Sequence, residues 1–498
     1  MRFNSNSSVR QSNLRKLPAY YLFTFLGLPL LLAACGGGSS SSSPSVDADS
    51  PTSDPNTNKY YASGTTLGPN VTLGRAVGGQ ALTWDKSYVA DLTGDGEEEL
   101  LIYTSFDYLS QQDPSPFVIF GFQEGKFQDI TSDLFPDGAP QAIINRNLEV
   151  ADFNGDGIND LFLDNHGTEA FSPFPGEQNR LYLSDGSGQF FDATETHLPS
   201  IRDFSHGSSV GNIDDDPEPE IYVVNLGGGE AGYSGLNYLM DQNEQGVYEK
   251  IADLRNDFGG TFPVQAQNVG RPFFSTLVDL TGDGKMEIYG GPVTFPDFGE
   301  VGYGYFTLVN DGSGAFDLAD PATLPAPRVF PDNWPPVGIP ETIITGDIDA
   351  DGDMDIISYD RYGSFVGSYF SVFINNADGT FSDETEQRLP GQSFEATQAN
   401  IPNAQLVDLD SDGHLDFIAK AFDFGADPDG NAFVLWIYLN DDSGNLVEQE
   451  QNNYPEFRPS FAVLDTNGDG LNDIVSSTTD YSQPDPEAQI EVFLRSSN

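Results

Sequence analysis

The segment ADFNGDGINDLFLDN, residues 151–165, sets Asp152, Asn154, Asp156 and Asp160 at positions 1, 3, 5 and 9 of a nine-residue loop, with Gly157 at position 6. Carboxylates this close repel one another, so the spacing asks for a counter-charge. Side-chain oxygens at positions 1, 3, 5 and 9, together with the backbone carbonyl of position 7, can surround one hard cation. Calcium accepts six to eight oxygens in flexible geometry, whereas magnesium demands a tighter octahedron and tends to keep its waters. Zinc would draw on His and Cys, of which this chain has only four and one. Glycine at position 6 permits the sharp turn that folds the ligands inward.

The spacing recurs. DLTGDGEEE begins at Asp91, DFNGDGIND at Asp152, NIDDDPEPE at Asn212, DLTGDGKME at Asp279, DIDADGDMD at Asp347, DLDSDGHLD at Asp408 and DTNGDGLND at Asp465, at intervals of 57 to 68 residues. Near-equal spacing across most of the chain describes a repeat architecture. The candidate side-chain ligands are Asp91, Thr93, Asp95 and Glu99; Asp152, Asn154, Asp156 and Asp160; Asn212, Asp214, Asp216 and Glu220; Asp279, Thr281, Asp283 and Glu287; Asp347, Asp349, Asp351 and Asp355; Asp408, Asp410, Asp412 and Asp416; and Asp465, Asn467, Asp469 and Asp473. Position 7 would act through its carbonyl whatever its side chain, which is Glu97, Ile158, Glu218, Lys285, Asp353, His414 or Leu471. The third copy departs most, with Asn212 at position 1 and Pro217 at position 6. Metal-free polar hairpins rich in Asp and Gly are the alternative, and seven copies argue against that as a general account.

These loops are not EF-hands. An EF-hand needs a bidentate acid at position 12 and a helix after it. Position 12 is here Ile102, Leu163, Val223, Gly290, Ser358, Ala419 or Ser476, inside strand-like runs such as LFLD, IYVVN and IISY. Each loop therefore joins two strands, A and B. A second hairpin follows in each repeat, as in LYLSDGSGQFFD and VFINNADGTFSD, where alternating apolar residues flank a glycine turn. Four strands per repeat, repeated radially, predict an all-β fold: a seven-bladed β-propeller of four-stranded blades. The last repeat ends without a fourth strand, and NKYYASGTTLGP near the N-terminus resembles the missing piece. Residues near Tyr60–Ser63 are expected to complete the last blade beside residues 488–495, closing the ring.

On the nine-residue pattern the chain resembles the FG-GAP or VCBS-type repeats of integrin-α-like propellers, over roughly residues 59–498. The resemblance implies calcium in the loops between the first and second strands of each blade, up to seven ions, with the Asn212–Glu220 loop in doubt.

The N-terminus reads as a targeting segment. Arg2, Arg10, Arg15 and Lys16 precede YYLFTFLGLPLLL, an apolar run short for a membrane span. It ends in Leu-Ala-Ala-Cys, and the only Cys of the chain is Cys35. This resembles a bacterial lipobox, which implies removal of residues 1–34 and lipid on Cys35. With Gly36 next, the resemblance implies the outer membrane of a Gram-negative envelope. Residues 35–58 would be the lipidated Cys and a flexible Gly/Ser/Pro/Asp tether, and residues 59–498 one propeller.

A net charge of −56, from 77 acidic and 21 basic residues, argues against nucleic acid, because phosphate contacts need Lys and Arg. Contact with a membrane would run only through the lipid, and a monomer is expected. Alternating strand direction puts the A–B loops and C–D turns on one face and the long B–C and D–A connections on the other. Long loops on a rigid ring are where binding residues concentrate. Phe171, Phe174, Tyr233, Phe295, Phe298, Trp334, Tyr362, Phe365 and Phe424 are candidates for a surface contacting protein or glycan. The GSSVG run at 207–211 has the spacing of a nucleophile elbow but leads into a loop as strand A, where that motif has no strand–turn–helix context. His166 and His206 lie near the long-loop face without a readable partner set. The expectation is a non-catalytic binding or adhesion module. The alternatives are a polysaccharide-degrading, lyase-like propeller, which would need a convergent Arg/Lys/His/Tyr cluster at the centre of the ring, and a structural subunit of an envelope complex.

Overall fold

The computed structural model describes residues 85–495 except for 105–114, 168–175, 226–236, 254–273, 292–304, 324–338, 391–402, 423–432, 455–460, 480–486 and a few shorter gaps. It also describes Thr65–Thr66 and Val71–Thr72. Cys35, the tether and Tyr60–Ser63 lie outside the described residues.

Each repeat folds into one antiparallel sheet in the order A-B-C-D. Blade 1 is Asp85–Ala90, Glu99–Thr104, Ser115–Gln123 and Lys126–Asp129. Blade 2 is Asn145–Ala151, Asp160–Asn165, Arg180–Ser184 and Phe190–Asp192. Blade 3 is Ser205–Gly211, Glu220–Asn225, Tyr238–Gln242 and Tyr248–Asp253. Blade 4 is Phe274–Val278, Glu287–Gly291, Phe306–Asn310 and Phe316–Leu318. Blade 5 is Ile339–Gly346, Asp355–Tyr362, Gly367–Asn375 and Phe381–Asp383. Blade 6 is Asn403–Val407, Asp416–Phe422, Phe433–Asn440 and Leu446–Glu448. Blade 7 takes Phe461–Leu464, Asp473–Thr479 and Glu487–Phe493 from the C-terminal end of the chain.

The seventh blade is completed from the N-terminal side. Thr65 and Thr66 pair with Val492 and Glu491, and Val71 and Thr72 pair with Ala488 and Glu487, all antiparallel. The closing strand thus lies at Thr65–Thr66 and Val71–Thr72, beyond the Tyr60–Ser63 segment expected from the sequence. Closing the ring with both ends of the chain covers an edge that would otherwise present unpaired N–H and C=O groups.

The strand B runs are buried on both faces, as in LFLD of blade 2 and IYVV of blade 3, because each blade is sandwiched between two neighbours. Among the described residues seven hydrophobic clusters result, one at each successive interface. Leu101, Tyr103, Phe117, Leu148 and Leu163 join blades 1 and 2. Val118, Phe120, Leu464, Ile490 and Val492 join blade 7 back to blade 1. The A strands of neighbouring blades meet at the centre, where Ser87 Oγ donates to Phe461 O at 2.8 Å across the closing interface.

One repeated detail follows strand D in blades 1, 2 and 5. There Asp129, Asp192 and Asp383 each accept the N–H of a threonine two residues on. The hydroxyls of Thr131, Thr194 and Thr385 in turn accept the N–H of Ile119, Leu181 and Val372 in strand C. A four-residue helix starts at each of these threonines. The runs FQDIT, FFDAT and FSDET carry this lock in the sequence.

Candidate metal loops and a second polar cluster

All seven Asp-rich loops connect strand A to strand B on one face of the ring. In six of them the position 1 carboxylate organises the turn. Gly96, Gly157, Gly284, Gly352, Gly413 and Gly470 donate their N–H to Asp91, Asp152, Asp279, Asp347, Asp408 and Asp465 at 2.7–3.0 Å. Position 5 caps the N–H of position 7 in all seven, as Asp156 does for Ile158 at 2.9 Å. The turn therefore fixes position 7 through its backbone, which explains why its side chain ranges from Ile158 to Lys285.

In the six regular loops the backbone is left-handed twice. Besides the position 6 glycines, position 4 has positive φ at Gly94, Gly155, Gly282, Ala350, Ser411 and Gly468. The glycines at position 4 are a signal that reasoning from position 6 alone misses.

Position 9 is buried in every loop: Glu99, Asp160, Glu220, Glu287, Asp355, Asp416 and Asp473 are at most 4% exposed. One oxygen accepts the N–H of position 2, for example Leu92 at 2.8 Å, Phe153 at 2.8 Å and Ile348 at 2.8 Å. The other, in blades 2, 5, 6 and 7, accepts an N–H from the end of strand C at 2.6–2.8 Å: Ser184, Asn375, Asn440 or Arg495. Position 9 thus pins the loop to its own blade. Desolvation raises Glu99, Asp160, Glu287, Asp355 and Asp416 to about 7, and the neighbouring loop carboxylates add to the shift.

The donor set fits a hard cation. Carboxylate oxygens of Asp347, Asp349 and Asp351 lie within 4.8 Å of one another, as do those of Asp408, Asp410 and Asp416. Position 3 leaves buried oxygens with no hydrogen-bond donor among the described residues: Thr93 Oγ1, Asp349 Oδ1 and Asp410 Oδ1. Such atoms are costly to bury unless something positive meets them. Where position 3 is Asn, the side chain is engaged within the loop: Asn154 and Asn467 each accept the N–H of position 5 at 2.9 Å.

A second polar cluster lies at the inner ends of blades 1 to 3, on the long-loop side. Lys86 Nζ donates to Arg146 O at 2.6 Å. Tyr88 OH donates to Asn147 Oδ1 at 2.8 Å, and Asn147 Nδ2 donates to Glu149 Oε1 at 2.6 Å. Ser208 Oγ reaches the same Glu149 oxygen at 3.3 Å. His166 and His206 face each other, Nε2 to Nε2 at 3.1 Å, with Phe204 against His166 at 3.5 Å between ring centroids. Burial, and secondarily the Arg146 charge, hold both histidines well below the usual imidazole range. Desolvation lowers Lys86 to about 8 and raises Asp164 to about 8. The pairing of the two histidines, 40 residues apart in the chain, had no sequence signal.

The other sequence candidates are placed as follows. Ser209 sits in strand A of blade 3, where its hydroxyl accepts the Leu277 N–H at 2.8 Å. It is a structural inter-blade contact with no elbow around it. His414 donates its backbone N–H to Asp412. Phe171, Phe174, Tyr233, Phe295, Phe298, Trp334, Phe365 and Phe424 lie outside the described residues, and Tyr362 is described only as the backbone end of strand B in blade 5.

Residues 347–419, which hold loops 5 and 6, match the FG-GAP-like repeat family. The chain is similar to human cartilage acidic protein 1, 24% identical over 348 residues that make up 68% of this chain and 47% of that protein. It therefore spans about half the length of that curated relative. Among solved structures it is similar to the Dos1 propeller, with 7% identity, 86% of this chain and 94% of that one covered, and a TM-score of 0.38. It is also similar to an exo-1,5-α-L-arabinanase from a bovine ruminal metagenomic library, with 14% identity, 61% and 96% covered, and a TM-score of 0.34.

Proposed function

We propose, for a chain that is a seven-bladed β-propeller carrying an FG-GAP-like repeat, that it is a calcium-stabilised binding or adhesion module. In this reading it is anchored to the bacterial surface through lipid on Cys35 and contacts protein or glycan through its long-loop face. The observation that carries the calcium reading is the set of buried, donor-less oxygens at position 3, beside carboxylates that converge to within 4.8 Å in loops 5 and 6. When bound, calcium neutralises carboxylates that otherwise repel, and it crosslinks the two ends of a loop between adjacent strands. The loops themselves contribute the preformed turn, through positions 1, 5 and 6, and the rigid position 9 anchor. Calcium is thus a structural element that holds the ring while the opposite face is free to bind.

The test is native electrophoresis of the protein with Cys35→Ser, in millimolar calcium, through gels containing acidic or neutral polysaccharides. Retardation by a polymer that stays intact supports a lectin-like adhesin. Absence of retardation in every gel, with capture of a defined protein ligand, supports the protein-binding form of the same reading. Absence of both overturns it.

A second reading, polysaccharide degradation, is favoured by one observation. The centre of blades 1 to 3 brings Lys86, Tyr88, Arg146, His166 and His206 together with Glu149 and Asp164. An amine with its pKa lowered toward neutrality can accept a proton, and a guanidinium can neutralise an acidic sugar. A degraded zone in the gel that disappears in Lys86→Met and His206→Ala would establish this reading. Degradation unchanged in both variants would remove it from this cluster.

A further inference from the structure

We infer that the third loop is a cation site of different construction, in which Asp214, Asp216, Glu220 and Asp241 hold one hard divalent cation and position 1 takes no part. The proposal rests on the calcium reading for positions 3, 5 and 9 and departs from it in two respects: position 1 is withdrawn, and Asp241, which lies outside the nine-residue loop, takes part.

Position 1 is withdrawn for a stated reason. In the regular loops its carboxylate accepts the N–H of position 6. Pro217 at position 6 has no N–H to give. The position 1 residue is correspondingly Asn212, whose amide donates to Asp216 O, reversing donor and acceptor. Its Oδ1 accepts Lys285 Nζ from blade 4 at 3.0 Å. Asn212 is thus engaged on both sides of its amide.

A replacement carboxylate arrives from strand C. The position in question directly follows the strand C residue that pairs with position 10 of the loop. It is Gly121 in blade 1 and Leu183, Val309, Ile374, Leu439 and Leu494 in blades 2, 4, 5, 6 and 7. In blade 3, where Ile221 pairs with Met240, it is Asp241. An apolar position in five blades has become a carboxylate in the one blade that lost its position 1 acid.

The independent sign of a ligand is at Glu220. In blades 2, 4, 5, 6 and 7 the second oxygen of position 9 meets a strand C N–H, at 2.6, 3.5, 2.8, 2.7 and 2.7 Å. Glu220 is 0% exposed and uses Oε2 for Ile213 N–H at 2.6 Å, while Oε1 has no donor among the described residues. Asp241 Oδ1 is a second buried oxygen without a donor among the described residues, and its carboxyl faces that of Glu220 and feels the charges of Asp214 and Asp216. Oxygens of Asp214, Asp216 and Glu220 lie within 4.8 Å of one another. Among the described residues these four carboxylates face one ammonium, Lys285, which acts on Asp216. The remaining negative charge, with Glu220 out of water and the other three carboxylates only partly exposed or open to solvent beside it, calls for a divalent cation. An all-oxygen donor set selects the calcium, manganese and magnesium class over zinc or copper.

The experiment counts bound calcium by equilibrium dialysis against ⁴⁵Ca²⁺ for the purified protein, Asp241→Asn, Asp241→Leu and, as the comparison, Asp410→Asn. Both Asp241 variants are expected to bind one ion fewer than the parent. In EDTA they should melt no lower than the parent, and Asp241→Leu higher, because a half-buried carboxylate among like charges has been replaced by the side chain that other blades carry. An unchanged count in folded Asp241 variants overturns the proposal. If Asp410→Asn loses an ion while the Asp241 variants do not, the regular loops stand and this site falls. If the Asp241 variants alone lose an ion, this site stands and the regular loop at Asp408 does not bind. No bound calcium in the parent overturns both.

Discussion

At the level of single residues, each loop spends its side chains on two tasks. In the six regular loops positions 1 and 5 hold backbone N–H groups, and in loops 1, 5 and 6 position 3 presents a buried oxygen that no donor among the described residues meets. The left-handed backbone at position 4 sharpens this. Glycine takes that conformation freely, whereas Ala350 and Ser411 adopt it at φ +59°. Left-handed φ costs a residue with a Cβ roughly 1 kcal/mol. Ala350→Gly and Ser411→Gly are therefore expected to stabilise the protein by about 0.5–1 kcal/mol each, measured as a rise in the denaturant midpoint in calcium. A fall at both positions would show that their backbone is not held left-handed. The turn frame was legible in the Asp and Gly spacing. The burial of Glu99, Asp160 and their equivalents was not, because alternation cannot reveal that position 9 already belongs to strand B.

Among elements, the loops are stitched to the next blade. The side-chain amide of Asn310 donates to Ile213 O at 2.6 Å, that of Asn375 to Leu280 O at 2.8 Å and that of Asn440 to Ile348 O at 2.7 Å. Gln242 does the same for Phe153 O, and Arg495 for Leu409 O. The end of strand C in one blade thus caps position 2 of the loop before it. Asn440→Ala would remove the amide donor from the buried carbonyl of Ile348 and the half-buried carbonyl of Leu415. A loss of about 1–3 kcal/mol is expected, read from urea melts against the parent; a change below about 0.5 kcal/mol would mean that water replaces the amide. A related contact joins Arg388 to Asp349 and Glu384, both at 2.9 Å, and to Ser443 O at 3.0 Å. Gly444, at φ +76°, packs so closely that an added Cβ would lie 2.7 Å from Asp349 Cβ and closer still to the Arg388 guanidinium. Gly444→Ala should cost about 2 kcal/mol or more and weaken calcium binding at loop 5 along with the fold. Wild-type stability would refute that packing. The hairpins were readable from turn residues, but the stitches were not, since an Asn at the end of a strand has many uses.

For the whole molecule, the ring is closed by chain ends and crowded with acid on one face. Removal of residues up to 84 would expose Glu487–Phe493 as a bare edge. The truncated protein is expected to self-associate, seen as larger species in size-exclusion chromatography. A monomer of unchanged melting temperature would mean that the N-terminal strands contribute nothing. The pH dependence has a definite sign. Without metal, the raised position 9 groups hold protons more tightly in the fold than when unfolded, so metal-free stability declines as pH rises from about 4 toward 7. In the proposed calcium-bound form the ion takes the place of those protons. EDTA should therefore lower the melting temperature more at pH 7.5 than at pH 5. An equal drop at both pH values would dissociate the metal from these carboxylates, and no drop at either would remove calcium from the loops.

The sequence by itself determined the number of blades, their strand order and the face that carries the Asp-rich loops. Spacing, turn chemistry and apolar runs are local properties, and seven copies average out local ambiguity. It also marked the third loop as irregular, through Asn212 and Pro217. Only the tertiary structure decided which distant residues complete each site. Strand C delivers Asp241 to the third loop, blade 4 delivers Lys285, and the meeting of blades 2 and 3 brings His166 to His206. Pairings across 21, 73 and 40 residues leave no periodic trace, because they depend on how strands and sheets pack and not on the repeat itself.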